Sequence, residues 1–438
     1  MKALNPEYPL KREQIAEGTM FSSIADSRFK TNLLTVNLVL PLARETVTEN
    51  ALIPLVLEKC WEEAPTNRAL SRQLNRLYGA SVGCGTVKVG SAAALTLAFS
   101  AIDSAYALEG ENMLSEGAKI LLGLLLRPVR KDGLLEEENL ALQKQYLADT
   151  ILADINEKRS YALGQTIRRM FEGEPCGLPR YGFLEDIEKI TPETATAAWK
   201  RILDTARIEV FHVGMGDPSG AKALFAEAFA GMERRPLPLP PFSIHNPPAS
   251  PKEFVEEKPV AQSKLCMGFA AGLDPHSPEL PAMRLMTALL GGTPTSKLFL
   301  NVREKRSLCY YCAARYDTLK GVLLVDSGVE HDKAEETKAA ILEELEAVRR
   351  GDFTDEELEF ARLSLQNSYR SVGDSAYGLD SVYLTQALLG IEETPEDQGA
   401  QIAAVTREEV CTAARRLTLD TVYLLTGSGE GGSICENQ

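Results

Sequence analysis

Between residues 233 and 260 the chain carries Pro236, Pro238, Pro240, Pro241, Pro247, Pro248, Pro251 and Pro259. Proline fixes its own φ and has no N–H to donate, so this stretch can hold neither a helix nor an inner strand. It reads as an extended linker, and it divides the sequence into two parts with the same order of elements. Residues 1–31 are mixed and polar. A strand then follows over 32–42, where Leu34, Val36, Leu38 and Leu40 alternate with less apolar neighbours. Apolar residues at helical spacing predict helices over about 51–63 and 67–78, the first tolerating Pro54 only if it starts close by. Two strands, 81–89 and 92–102, turn at Gly90-Ser91. Helices over about 110–126, 135–171 and 192–203 lead to a closing strand at 208–213.

Beyond the linker the order returns. There is a strand (263–271), a helix (279–290), two strands (307–318 and 321–329), helices (332–350, 354–372, 377–389 and 407–417) and a closing strand (421–426). The prediction is an α+β fold of two homologous halves, 1–232 and 261–438, joined by the linker 233–260. Each half is an antiparallel-rich sheet covered by helices. The Gly/Ser/Glu-rich tail 427–438 reads as disordered.

The bulk numbers exclude some partners. The 438 residues carry a net charge of −15, without the basic footprint that nucleic acid or an anionic membrane requires. No window reaches the ~20 apolar residues of a membrane span. The start, Met1-Lys-Ala-Leu-Asn, shows no apolar run of signal-peptide length. The 8 cysteines are scattered and read as reduced thiols of a cytoplasmic protein.

Several stretches carry residue types capable of chemistry. Leu55 and Lys59 are four apart on a predicted helix and so share a face, with Glu58 between them. Two histidines there would bind zinc beside a general base, but leucine has no lone pair and an ammonium repels a cation. The bland reading is a packed leucine, a solvated lysine and a solvent-facing Glu58. His212, His245, His276 and His331 are dispersed and read as surface or strand-end residues. Cys309-Tyr-Tyr-Cys312 is a lone C-x-x-C, and on a regular strand its thiols would point to opposite faces. Glu136-Glu137-Glu138 suits a helix N-terminus.

The densest stretch is 289–312. A buried helix is expected to end at Gly291-Gly292 in a left-handed turn. A short amphipathic piece over 296–304 follows, then an aromatic-rich strand, with Arg303 and Tyr310 at either end of the join. An arginine fork binds a carboxylate or a peptide carbonyl, and a tyrosine hydroxyl can stabilise an oxyanion. Spacing alone is equally served by a surface ion pair and a half-buried strand tyrosine.

The run Leu289-Leu-Gly-Gly, then Ser296-x-Leu-Phe299, then Val302-Arg303-Glu304-Lys305-Arg306-x-Leu308-x-Tyr310 resembles the second-half signature of the insulinase-like (pitrilysin-type) zinc peptidases, which include the mitochondrial processing peptidases. Weaker matches follow in order: Phe29-Lys-Thr, Leu77-Tyr78-Gly79-Ala80, Tyr181-Gly182 and Phe353-Thr-Asp-Glu-Glu-Leu358. The resemblance implies a two-lobed shell of repeated α+β halves. The family's zinc motif, His-x-x-Glu-His plus a downstream glutamate, survives at Glu58 only, with Leu55 and Lys59 at the histidine positions. The downstream position falls at Glu136 or nearer Thr150. Bacterial relatives often pair a zinc-bearing subunit with a zinc-less one that supplies an arginine and a tyrosine. Arg303 and Tyr310 match that pair.

The resemblance therefore implies a non-catalytic, substrate-binding subunit with no catalytic residue, metal ligand or cofactor of its own. Its expected partners are a zinc-bearing homologous subunit and a peptide substrate, with a self-pair in isolation. A peptide-binding or scaffolding protein with no part in proteolysis is the second reading.

Overall fold

The computed structural model describes residues 10–427, and in it the polar stretch before residue 31 is already folded. Strands β1 (Leu10–Ala16) and β2 (Thr19–Ala25) form an antiparallel pair that the sequence reading missed. Their signal is weak because polar residues do part of the work. Arg12 on β1 reaches the fully buried Glu209 carboxylate at 2.6 Å. β3 (Thr31–Pro41) follows as predicted.

Helix α1 (Val47–Leu57) starts and stops earlier than its apolar spacing suggests. Pro54 lies well inside it, contrary to expectation. Nearly every α1 side chain is buried, so tertiary packing offsets the missing hydrogen bond. The chain leaves the helix at Glu58, and Trp61 is then bridged to Ala64 and Pro128 and fully buried. α2 (Asn67–Arg76) is capped by Thr66. After it Tyr78 and Gly79 both take left-handed backbone, φ 56° and 75°. The Tyr78 hydroxyl accepts from the Leu108 amide at 2.8 Å and lies 3.1 Å from Glu111, which offsets the cost of that conformation in a tyrosine.

Strands β4 (Ser81–Val89) and β5 (Ala92–Ile102) fall where expected on either side of the Gly90-Ser91 turn, and α3 (Met113–Leu126) follows. A minimal hairpin, β6 (Arg130–Lys131) and β7 (Leu134–Leu135), precedes a helical stretch predicted as one piece. It is two, α4 (Glu137–Asn156) and α5 (Lys158–Met170). The break is Glu157, whose carboxylate accepts from the amides of Arg159 and Ser160 and caps the second helix. Then come α6 (Leu184–Ile187), α7 (Pro192–Thr205), β8 (Arg207–Gly214) and α8 (Ser219–Ala230); α6 and α8 were not predicted.

The linker does hold a strand, β9 (Lys252–Glu257), but at a sheet edge, the one place the prolines allow. The second half continues through β10 (Ser263–Ala270), α9 (Leu280–Thr287), β11 (Cys309–Asp317), β12 (Val322–Val329), α10 (Ala334–Arg350) and α11 (Asp355–Val372). It ends with α12 (Ala376–Leu389), α13 (Pro395–Ala404), α14 (Arg407–Arg416) and β13 (Thr418–Thr426); α13 was not predicted. Thr354 and Glu357 cap α11 reciprocally, each side chain accepting the other's amide, at 3.1 and 2.7 Å. All but the first residue of the predicted disordered tail lies outside the described residues.

The repeat extends to hydrogen bonding. One sheet runs β1-β2-β8-β3-β5-β4 and the other β11-β12-β10-β13-β9. Read from opposite ends, β2-β8-β3-β5-β4 and β9-β13-β10-β12-β11 are the same order. In both, the closing strand is parallel to the first and antiparallel to the second. By compactness, one unit gathers the chain up to Leu152, Glu174–Pro241 and Val372–Thr394. The other gathers Ala153–Gly173, Phe242–Ser371 and the chain from Pro395 on. Each unit thus includes a helix from the other half of the sequence. Within its unit α12 packs on β3 and β8; within its own, α5 packs on the equivalent strands β10 and β13.

Leu379, Tyr383 and Leu384 of α12 share a buried cluster with Leu33, Phe211 and Val213. Beside them the buried Asp380 carboxylate accepts the Thr35 hydroxyl at 2.6 Å. Burial pushes this carboxyl up to about 7, the Thr35 hydrogen bond opposing the shift. A folded pKa above the unfolded value gives stability that is complete below the unfolded pKa, near ~4, and declines as pH rises toward 7. Asp380→Asn is therefore expected to raise the denaturation free energy at about pH 8 by on the order of 1–3 kcal/mol, with little difference near pH ~4. Urea titrations of both proteins at the two pH values check this.

Candidate functional site

The first candidate, around Glu58, lies just past the end of α1. The helix stops at Leu57, so Lys59 lies two residues past its end and not within it as the spacing had implied. Leu55 packs against the core of its unit. Glu58 is not the solvent-facing residue that was expected. Its side chain is only 18% exposed, and Lys59 Nζ reaches its carboxylate at 2.9 Å. The Cys84 thiol, on edge strand β4, donates to the same oxygen at 3.2 Å. Burial and the Glu58 charge push the Cys84 thiol well above its ordinary range, so it stays a donor.

Of the two downstream positions, Glu136 accepts from the amides of Glu138 and Asn139 and caps α4, as the acidic cluster suggested. Its charge is felt at Cys60, beside the motif. Thr150 donates back to the Tyr146 carbonyl inside its own helix. These residues do not fit a zinc ion: one position has no lone pair, one is an ammonium paired with Glu58, and the carboxylate of Glu136 is engaged in a cap. Among the described residues no three His, Cys, Asp or Glu side chains converge on a site that could hold a metal.

The histidines are apart. His212 departs from the surface or strand-end reading, being fully buried on β8 with Nε2 3.1 Å from Asn32 Oδ1. Burial lowers it to about 4, so it is neutral. His245 pairs with Asp420 at 2.9 Å, and His331 lies 2.8 Å from the Ser263 hydroxyl.

The second candidate is the join before β11. Gly291 and Gly292 are not in left-handed backbone, contrary to the sequence reading. Gly291 is needed for closeness. A Cβ there would lie 2.7 Å from Ala314 Cβ and 2.8 Å from its backbone nitrogen. The helix widens into π-type turns at Ala288–Gly292 and again at Leu298–Lys305, where the Arg306 amide donates to the Asn301 carbonyl five residues back. Ser307, at φ 50°, makes the corner into the strand.

Arg303 and Tyr310 flank that corner. The Arg303 side chain is 37% exposed; its guanidinium lies 4.6 Å from the Phe299 ring centroid and 3.5 Å from Glu304. Tyr310 is 56% exposed, and its hydroxyl donates to Glu330. That bond raises the phenol pKa, so Tyr310 remains a proton donor at neutral pH. Among the described residues β11 is an edge strand, hydrogen-bonded on one side only.

The alternation argument fails at Cys309 and Cys312. Cys309 is opposite Val329, while Tyr311 is opposite Gly328, so Tyr310 is an extra residue in a β-bulge. Cys312 is opposite Ser327, two residues from Val329, and both cysteines therefore face the same side. Both pack against the core of their unit. The neighbouring Cys312 thiol, with Ser327 and the Arg303 charge, draws Cys309 down to about 7 against the effect of burial, while Cys312 is pushed up. No sequence periodicity announces a bulge, so this pairing was not legible.

A family profile described as "Peptidase M16 inactive domain" matches residues 189–365. The chain is 30% identical over 410 residues, 94% of its length and 96% of the relative's, to a Bacillus subtilis protein named "Probable inactive metalloprotease YmfF". It is similar to the crystal structure of a conserved protein from Enterococcus faecalis V583, with TM-score 0.89 and 26% identity, covering 96% of this chain and 99% of that one. It also has the fold of a peptidase M16 inactive domain from Pseudomonas fluorescens, with TM-score 0.76 and 18% identity, over 96% and 98% of the two chains.

The contact at Gly291 can be tested directly. Gly291→Ala is expected to cost ~1–3 kcal/mol, because the clash is with backbone that cannot yield. Gly292→Ala, whose nearest neighbour is the Thr287 carbonyl oxygen at 3.3 Å, is expected to cost less. Denaturation midpoints of the two variants, with hydrogen exchange over 298–317, provide the comparison.

Proposed function

The chain belongs to the insulinase-like, pitrilysin-type M16 peptidase family, in its zinc-less form, and we propose that it is the non-catalytic, substrate-binding subunit of a heterodimeric zinc metallopeptidase. The observation that carries this reading is the join at 303–310. An arginine fork and a protonated tyrosine hydroxyl stand at one corner, both open to solvent, at the free edge of a sheet.

A peptide can be held there as an added strand along β11, its backbone completing the unpaired side of that edge. The Arg303 guanidinium would bind a peptide carbonyl or carboxylate. Tyr310 would donate to the carbonyl oxygen that becomes negative as the peptide bond is attacked. Glu58, paired with Lys59 and Cys84, takes no part. Hydrolysis itself is assigned to a zinc-bearing homologous subunit, and the pair would act on cytoplasmic peptides. Among the described residues no helix is long and apolar enough to cross a membrane.

Co-purification with a zinc-bearing homologue, followed by cleavage of a quenched peptide, tests this. Arg303→Ala and Tyr310→Phe are each expected to lower kcat/KM roughly ten-fold or more, as loss of a charge-assisted hydrogen bond predicts. Equal cleavage by the variants would refute the assigned roles. Peptide binding by the chain alone, with no stimulation of any zinc-bearing homologue, would instead favour the scaffolding alternative.

A further inference from the structure

Among the described cysteines, Cys309 and Cys312 stand apart. Cys60, Cys176, Cys266 and Cys411 are buried, and Cys84 is committed to Glu58. Cys309 is partly accessible, and the register of the bulge puts Cys312 on the same face of β11, the two opposite Val329 and Ser327 of β12. That is an accessible thiol beside a second one, with Cys312, Ser327 and the Arg303 charge favouring its thiolate, the arrangement that thiol–disulfide exchange requires. It is built by the bulge at Tyr310, on an edge strand with one neighbour.

We propose that Cys309 and Cys312 form a dithiol that a small-molecule disulfide of the glutathione type oxidises reversibly to an intrachain disulfide bracketing Tyr310. In the first step the Cys309 thiolate attacks one sulfur of the small disulfide. The old S–S bond breaks, and one thiolate leaves and is protonated by solvent. Cys312 then loses its proton and attacks the Cys309 sulfur of the mixed disulfide, expelling the second small thiolate, which is likewise protonated. Two protein thiols and one small disulfide become one protein disulfide and two small thiols. Excess thiol reverses both steps.

Oxidation also has a geometric consequence. A regular strand holds residues three apart at about 10 Å, but the bulge sets Cys309 and Cys312 opposite residues only two apart on β12, about 7 Å, the upper end of the Cα separation a disulfide spans. Closing the bond therefore tightens the existing bulge around its extra residue, a small contraction that an edge strand allows. Contraction moves Tyr310 relative to Arg303. The effect on peptide binding rests on the role proposed for those two residues; the thiol chemistry does not.

The test uses the full chain, incubated with oxidised glutathione and mapped by mass spectrometry without reduction. The wild type is expected to lose two hydrogens in the segment holding Cys309 and Cys312, and to regain them with a thiol reductant. Cys312→Ser is expected to stop at one glutathione on Cys309, and Cys309→Ser to give neither product. A wild-type segment that stays reduced, or adducts of the same extent in both variants, would overturn the proposal. Hydrogen exchange over Cys309–Asp317, compared between oxidised and reduced chains, reads the contraction without any peptide. Identical exchange would overturn the link to Tyr310. Altered exchange with no peptide bound in either state would count against the proposed function and leave the disulfide standing.

Discussion

In each sheet the closing strand of the repeat is inserted between the first two. β8 lies between β2 and β3, and β13 between β9 and β10, so neither sheet is continuous until its last strand arrives. Thr19 thus pairs with Ile208, and Lys252 with Thr421, across nearly the whole of each half. Such contacts are entropically expensive to close, while the hairpins β4–β5 and β11–β12 are local and can form early. Central insertion also decides what is left at the edge. With the closing strand in the middle, the outer strand of each hairpin, β4 or β11, has no second neighbour. The two candidate sites lie at these equivalent edges: Cys84 with Glu58 on one, Tyr310 with Arg303 on the other.

Legibility in the sequence follows the same physics. β4 and β5 were read to the residue because the Gly90-Ser91 turn between them fixes their inner ends. β1 and β2 were missed because Arg12, Glu209 and Ser22 satisfy one another where apolar contacts would have shown. The stretch 135–171 keeps helical spacing throughout, so only the Glu157 cap marks its division. The exchange of α5 and α12 leaves no local signal, since the face of a helix does not say which sheet it meets. Arg303 and Tyr310 are singled out by the signature around them, whereas the bulge that puts Cys309 and Cys312 on one face is set by tertiary pairing and has no sequence signal.

The turn at Glu58 compensates its charges without a metal. A glutamate left half-buried and alone would be costly. Here Lys59 provides the compensating charge at 2.9 Å and the Cys84 thiol a further donor. Glu136 is satisfied by two amides of its own helix end. The local charges are balanced within the chain, so nothing in the arrangement demands a cation.

The resting state of Tyr310 bears on what its proposed role would discriminate. Its hydroxyl already donates to an anionic acceptor, Glu330. A neutral peptide carbonyl is a weaker acceptor than a carboxylate, so exchanging Glu330 for a ground-state substrate gains little. An oxygen that has become negative matches the carboxylate it replaces. The exchange is therefore favoured only as charge develops, which is the condition for a contact to lower a barrier instead of merely tightening binding. Arg303 has no such competitor of comparable strength, since Glu304 lies at 3.5 Å and both side chains are exposed. In the proposed role its guanidinium would engage the peptide from the first encounter, so that the arginine would hold the strand and the tyrosine would sense the reaction.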